Sequence, residues 1–251
     1  MNKTRDHISL RRWIGRIKSR LIYDFKPYNR GKMVRFYGAF IRQGDLCFDI
    51  GAHTGSRTAA WLSMGARVVA VEPQPAFIRL LKKRFSANPR FSIEKSALGR
   101  NPGNAMLFIS RMNPAISTLS PEWKKVMTDY DPSVRWEDQI ETEVHTLDEM
   151  ILRHGKPVFC KIDVEGYEGE VLAGLSAALP SLSFEFFPTT PDRAVHCIDI
   201  MEKLGKYSYN WSLTESFRMN AQSWLTASDM ILNLKAYTGN KSGDIYARLS
   251  P

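Results

Sequence analysis

From Leu46 onward the chain alternates between short apolar runs and helical stripes, and that alternation constrains the fold more than any other feature. Leu46-Cys47-Phe48-Asp49-Ile50 is an apolar run that ends in glycine and reads as a buried strand. The spacing over 54–64 predicts a helix, with Gly65 placed as the glycine just past its end. Arg67–Val71 is rich in valine and predicts a second strand, and Pro75–Phe85 sets Phe77, Ile78, Leu81 and Phe85 on one helical stripe. A third strand is expected over 91–98. The middle is less regular, with strands expected over 105–110 and 140–146 and a short helix over 121–128. Alternation then returns as helix 147–153, strand 158–164, helix 168–177, strand 182–187 and helix 192–204. Tyr207–Leu213 and 230–234 read as two last strands that would suit an antiparallel pair. Strands that alternate with helices imply βαβ units on a mainly parallel sheet, hence one α/β domain.

Composition narrows the function classes. With 43% hydrophobic residues over 251 positions, the chain can bury enough apolar surface to offset its ordering entropy. The longest stretch without a charge, 171–184, contains Gly174, Pro180 and three serines, and is too short to span a bilayer, which takes about 20 apolar residues. No apolar leader opens the sequence, so a secretory signal is not expected. Cys47, Cys160 and Cys197 form no close pair, so neither zinc knuckle nor disulfide framework is readable; Cys47 and Cys160, within apolar runs, are expected as buried free thiols in a reducing compartment. Charge is uneven. Residues 1–42 hold twelve Lys/Arg against Asp6 and Asp24, while 43–251 carry a net charge of −1. The expected division is therefore a basic helical arm over 1–42 and a near-neutral domain over 43–251, which argues against a nucleic-acid binder.

The first strand runs into Asp49-Ile50-Gly51-Ala52-His53-Thr54-Gly55. In open α/β sheets ligands bind outside the carboxyl ends of the strands, and glycine there lets backbone approach a ligand closely. A dinucleotide turn would need glycine where His53 and Ser56 stand, so a pyrophosphate cofactor fits poorly. Glu72, directly after the second strand, stands where a carboxylate can accept hydrogen bonds from both ribose hydroxyls of an adenosine. The plainer readings are a tight turn and a solvated strand end; the two features together, after consecutive strands, favour a ligand. His53 is read as a packing or backbone partner rather than a base.

A second constellation follows the strand at 158–164, in Lys161-Ile162-Asp163-Val164-Glu165-Gly166-Tyr167-Glu168. Asp163 and Glu165 share strand parity, so both would face one pocket if the strand continues that far. Glu185 interrupts the next apolar strand and points to the same rim. A strand end plus helix cap would explain the segment without chemistry, but burying charge without a task is costly.

These residues carry a resemblance. The Asp-x-Gly-Ala-x-x-Gly turn, Val-Glu-Pro, Ser-Ala-Leu-Gly at 96–99, Ile-Ser-Thr-Leu at 116–119, Thr-Leu-Asp-Glu-Met at 146–150 and the 161–168 segment recur in order. Together they resemble the FkbM family of S-adenosylmethionine-dependent methyltransferases over roughly 46–188. The resemblance implies a class I Rossmann-like fold, with a doubly wound, mainly parallel seven-stranded sheet and a small inserted strand pair. It implies that Asp49, Gly51 and Gly55 lie near the methionine part of S-adenosylmethionine, Glu72 on its ribose, and Ser96 and Ala97 beside its adenine. Asp163 and Glu165 match the acidic motif that faces methyl and acceptor. The expected activity is O-methylation of a hydroxyl on a sugar, glycolipid, polysaccharide unit or polyketide, and the acceptor is the expected partner.

Asp163 or Glu165 is then the expected proton acceptor, with Glu185 and His145 behind them. No ligand spacing supports a metal, so none is expected. Trp123 and Trp136 are candidates for stacking on sugar rings, core packing being their commoner use. In the arm, Leu10, Trp13, Ile14, Ile17 and Leu21 are interleaved with arginines and lysines. Such a stripe suits peripheral contact of residues 8–22 with an anionic membrane on its cytoplasmic face, docking onto the domain, or a transit segment. A cytoplasmic location is expected. Two rivals remain, an NAD(P)-dependent oxidoreductase, disfavoured by the glycine spacing, and a non-catalytic module for anionic surfaces, which leaves the Asp163 cluster unexplained.

Overall fold

The computed structural model describes residues 27–250. In chain order they form α1 (Pro27–Tyr37), β1 (Leu46–Ile50), α2 (Ser56–Ser63), β2 (Arg67–Val71), α3 (Pro75–Phe85) and β3 (Phe91–Glu94). An inserted region follows, with β4 (Ala97–Leu98), β5 (Gly103–Ile109), α4 (Pro121–Tyr130) and β6 (Asp138–His145). The chain then gives α5 (Leu147–His154), β7 (Phe159–Ile162), α6 (Glu168–Ala173) and β8 (Ser181–Phe186). It ends with α7 (Pro191–Leu204), β9 (Tyr207–Leu213), α8 (Ala227–Ala236) and β10 (Gly243–Leu249).

The main sheet has the order β3-β2-β1-β7-β8-β10-β9, parallel throughout except that β10 runs against both its neighbours. This is the expected doubly wound, seven-stranded sheet. The chain works outward from β1 to one edge, then returns to β7 and works outward to the other. β1 and β7 therefore flank the switch point, where a crevice opens at the carboxyl rim. Because β10 is reversed, the start of that strand, at Gly243 and Asp244, lies at the same rim as the ends of the parallel strands.

Side chains alternate across the pleat, and the two faces have separate cores. Leu46, Phe48 and Ile50 of β1, Val69 and Val71 of β2, and Cys160 and Ile162 of β7 pack on one side. Cys47, Val68, Ala70 and Phe159 pack on the other with Trp61 of α2 and Tyr246 of β10. Met33, Tyr37 and Ile41 join this second core. The last part of the expected arm, from α1 onward, is thus packed on the domain, while the stripe from Leu10 to Leu21 lies outside the described residues. Cys47 and Cys160 are buried and free, as expected, and Cys197 is buried and free as well. Among the described residues no helix is long and apolar enough to cross a membrane.

Three expectations change. The strand expected over 91–98 is divided: after Glu94 the chain leaves the main sheet, and Ala97–Leu98 pairs in parallel with β6. The insert is therefore a three-stranded sheet, β4-β6-β5, rather than a strand pair. Residues 230–234 are helical within α8, where Thr226 accepts from the Asp229 amide and Met230 and Leu234, one turn apart, both reach the core. An apolar run of five residues fits either period, and the cap decided it. The antiparallel partner of β9 is β10 instead.

Phe159 lies at the centre of the second core, with ring centroids 5.5 Å from Tyr37 and 5.6 Å from Trp61. Phe159→Ala is expected to lower the unfolding free energy by about 3–5 kcal/mol, measured by urea denaturation.

Candidate functional site

The turn after β1 is shaped by what it must clear. Gly51 has φ +76°, and a Cβ there would collide with the Asp163 carbonyl oxygen, so only glycine lets the two strand ends approach. The amides of Gly51 and Ala52 both donate to the Val71 carbonyl (2.9 and 3.1 Å), which ties the turn to β2. Gly55 opens α2 in the left-handed region and packs against Leu81 and Phe85. Asp49 is buried and turned towards α2, accepting from the Thr58 amide (3.0 Å) and hydroxyl (2.6 Å). Burial raises its pKa, and the Thr58 bonds oppose the rise. Its first task is thus to anchor α2, although it also borders a small cavity with Gly51, His53 and Asp163.

Glu72, at the end of β2, is buried and faces a narrow cleft that Gly51 also lines. Its two oxygens accept from the backbone amides of His53 and Gln74, each at 2.9 Å. Burial pushes its pKa up to about 7 against the pull of those two bonds. The His53 ring packs on Phe77 at 4.0 Å, so this histidine is a packing and backbone partner, as expected. Ser96 and Ala97 form another wall of the cleft, and the buried Ser96 hydroxyl has no hydrogen-bond partner. A buried carboxylate that gains from donors and an orphaned hydroxyl, set in a mostly apolar slot, can take a nucleoside.

The acids beyond β7 reach the rim by a different route from the one expected. β7 ends at Ile162, so pleat parity does not place Asp163 and Glu165 together. Instead the chain curls, with Glu165 at φ +54°, a conformation costing a side-chain residue about 1–3 kcal/mol. Glu168 holds the curl, its Oε1 accepting from the amides of Val164 (3.2 Å) and Gly166 (3.1 Å). Thr118 donates to the Glu165 carbonyl at 2.7 Å, and Arg193 donates to the Gly166 carbonyl. Glu185 projects from β8, and Asp163, Glu165 and Glu185 can each present an oxygen within 4.8 Å of the others.

Asp163 and Glu165 line the narrow cleft and also a far larger cavity of about 910 Å³, which Glu185 borders as well. The cleft holds about 60 Å³ by the same measure. The two carboxylates therefore stand where the spaces meet. Trp123, Val126, Met127 and Phe187 give the large cavity an apolar part of its lining, and Asp163, Glu185, Glu215 and Asp244 an acidic part. Trp136 is tied to Thr128 by its indole N–H (3.2 Å) and does not line it. His145 is not part of the site. It sits on the inserted sheet, 3.3 Å from Glu149 and 3.2 Å from Arg153.

Sequence reasoning missed the groups beneath the rim. Lys161 is fully buried, with its ammonium 2.8 Å from Asp244 and 3.2 Å from Asp163. Arg57 reaches Glu215 at 2.8 Å and lies 3.9 Å from Asp244. One signal was available, since a lysine inside the apolar run 158–162 needs a buried partner.

Comparison with known proteins completes the description. Residues 49–210 match the sequence profile described as the Methyltransferase FkbM domain. Over 55 residues the chain is 34% identical to a chloroplastic ribosomal RNA small subunit methyltransferase of Arabidopsis thaliana. That match spans 22% of this chain and 16% of the plant protein, about a sixth of its length. Among solved structures, a precorrin-6Y C5,15-methyltransferase from Geobacter metallireducens aligns with a TM-score of 0.48 at 14% identity, covering 90% of each chain. A TehB-like SAM-dependent methyltransferase from Corynebacterium glutamicum aligns with a TM-score of 0.44 at 12% identity, over 87% of this chain and 88% of that one.

The raised pKa of Glu72 has a consequence for stability. Protons are bound more tightly in the folded state, so its contribution is fully present below the usual carboxylate range and is lost as pH rises through about 7. A rise from 4.5 to about 7 corresponds to about 3 kcal/mol. Ligand-free protein is expected to melt at a lower temperature at pH 8 than at pH 5.5, and Glu72→Gln to remove most of that difference in calorimetric scans.

Proposed function

Because the chain belongs to the FkbM methyltransferase family, we propose that it transfers a methyl group from S-adenosylmethionine to a hydroxyl oxygen of a sugar, glycolipid, polysaccharide unit or polyketide. One observation carries this reading: Asp163 and Glu165 line both the narrow cleft and the large cavity. S-adenosylmethionine, the cofactor of the family, supplies a methyl already activated on a sulfonium sulfur.

The chain's own residues have three tasks. Glu72 accepts hydrogen bonds from the ribose hydroxyls, using lone pairs that the His53 and Gln74 amides leave open, and Ser96 and Ala97 wall the adenine. Gly51 keeps the turn close enough to the Asp163 backbone for the cleft to open at the acids, while Asp49 and Gly55 fix the start of α2 behind it. Asp163 or Glu165 takes the hydroxyl proton as the acceptor oxygen attacks, with Glu185 further along the same rim. General-base assistance of this kind is worth about 10²–10⁴ in rate.

The large cavity supports a neutral, hydroxyl-rich acceptor. Its apolar wall suits the carbon face of a ring or chain, and its acids suit hydroxyl donors. Asp131, Asp163, Glu165, Glu185, Glu215 and Asp244 outnumber Arg57 and Lys241 around it, which disfavours a polyphosphate backbone and so a nucleic-acid acceptor. Asp163, Glu165 and Glu185 lie close enough to share a cation, and one of them, Asp163, already has the Lys161 ammonium at 3.2 Å.

The reading is tested by transferring a radiolabelled methyl group to fractionated lysate and identifying the labelled product. A methyl ether in a non-nucleic-acid fraction is expected; label in RNA, or on nitrogen or carbon, would overturn the reading. Calorimetry should show binding of S-adenosylhomocysteine and none of NAD(P). Asp163→Asn is expected to lower turnover about 10²–10⁴-fold with S-adenosylhomocysteine affinity retained, while Glu72→Ala should weaken that affinity about tenfold or more.

A further inference from the structure

Lys161 is the one fully buried cation within the described β-strands, and the reading above gives it no task. Its place is set by register. Lys161 stands beside Ser183 of β8, which stands beside Tyr246 of β10, so the three form a row across the sheet. Asp244, two residues before Tyr246, shares that face and reaches the ammonium at 2.8 Å. Asp163, two residues after Lys161, closes the other side at 3.2 Å. Glu215, Arg57, Asp244, Lys161 and Asp163 form a chain of alternating charge that passes through the buried Lys161, with successive separations of 2.8, 3.9, 2.8 and 3.2 Å.

Such a chain is a poor means of stabilising a fold. Taking charges out of water costs about as much as their attraction returns, and apolar residues of similar volume often serve as well. Here one end is a carboxylate, Asp163, at the junction of the two cavities. Burial works against the charge of Lys161, yet Asp163 and Asp244 outweigh it and hold its pKa above the ordinary value. The ammonium is therefore a permanent feature of the site.

We propose that Lys161 is a positioning residue for methyl transfer: braced against Asp244 on the reversed strand, its ammonium holds the Asp163 carboxylate at the junction of cleft and cavity. The inference rests on the proposed role of Asp163 as proton acceptor. Lys161 lines neither cavity, so it acts on their junction through Asp163, the one of its two acidic partners that also lines the narrow cleft. Loss of the ammonium takes one charged partner from Asp163, and the fraction of encounters with a correctly placed base falls.

The test compares full-length Lys161→Met, Lys161→Arg, Asp163→Asn and the Lys161→Met/Asp163→Asn double variant. Each is assayed on the lysate fraction that accepts labelled methyl, and its S-adenosylhomocysteine affinity is measured by calorimetry. Lys161→Met is expected to lower kcat about thirtyfold or more, with KM for S-adenosylmethionine and affinity for S-adenosylhomocysteine unchanged. Lys161→Arg should recover most of the loss, and the double variant should be no slower than Asp163→Asn, because one group works through the other. Losses that multiply in the double variant, or an affinity that falls in step with kcat, overturn the proposal. If Lys161→Met does not yield folded protein, Asp244→Asn takes its place: a lowered kcat at unchanged affinity supports the brace, and normal turnover overturns it. Undiminished turnover of Asp163→Asn overturns this inference and leaves Glu165 as the proton acceptor, whereas an impaired Asp163→Asn beside an unimpaired Lys161→Met overturns this inference alone.

Discussion

Two carboxylates stay side by side at the rim because a third, Glu168, binds the backbone between them. Its Oε1 accepts from the amides of Val164 and Gly166, the residues on either side of Glu165. That pair of bonds helps offset the left-handed conformation of Glu165, which turns the chain away from the direction of β7. Glu168 is buried, and burial raises its pKa against the pull of the same amides, so it carries a desolvation cost to keep the turn. A tight curl then points the carbonyls of Glu165 and Gly166 outward, where Thr118 and Arg193 donate to them. Thr118 is itself joined to β5 by two backbone bonds with Phe108, which couples the inserted sheet to the acidic turn.

The same economy of buried polar groups runs across the second face of the sheet. Asp49 and Lys161 are register partners on β1 and β7, and both lie in a layer otherwise made of aromatic and aliphatic side chains. Each is satisfied within the chain, Asp49 by Thr58 and Lys161 by two acids. The contrast with Glu72 and Ser96 is instructive. Glu72 accepts two amide bonds and Ser96 finds no partner, so the narrow cleft keeps hydrogen-bonding capacity for a ligand.

Much of this was legible in the residues themselves. β2 and α3 fall on the expected bounds because valine runs, an opening proline and an apolar stripe all agree there. The acids of the site were recognisable because charge next to a core strand is rare. What escaped notice depends on partners far apart in sequence. Asp49 looked like a ligand of the turn until Thr58 was seen to hold it, and parity could not anticipate a strand that stops at Ile162. The reversed strand β10 was hidden because Ile245, Tyr246 and Ala247 make only a short apolar run beside charged Asp244 and Arg248. That omission also concealed the brace of Lys161, since Asp244 lies 83 residues away along the chain.

The motifs behind the family resemblance differ in what they do physically. Thr146 and Glu149 form a capping box at the start of α5, each accepting from the backbone amide of the other, so that motif starts a helix. Ile-Ser-Thr-Leu at 116–119 places Thr118 against the acidic turn while Ser117, Thr118 and Leu119 wall the narrow cleft, which makes it scaffold and lining at once. Only the segment after β7 presents ionisable groups to both cavities. A relative that kept the capping box but lost Asp163 and Glu165 would preserve the architecture and lose the carboxylates that line both cavities. The acidic junction therefore depends on a few residues of one curl, which Glu168 and Thr118 hold in place.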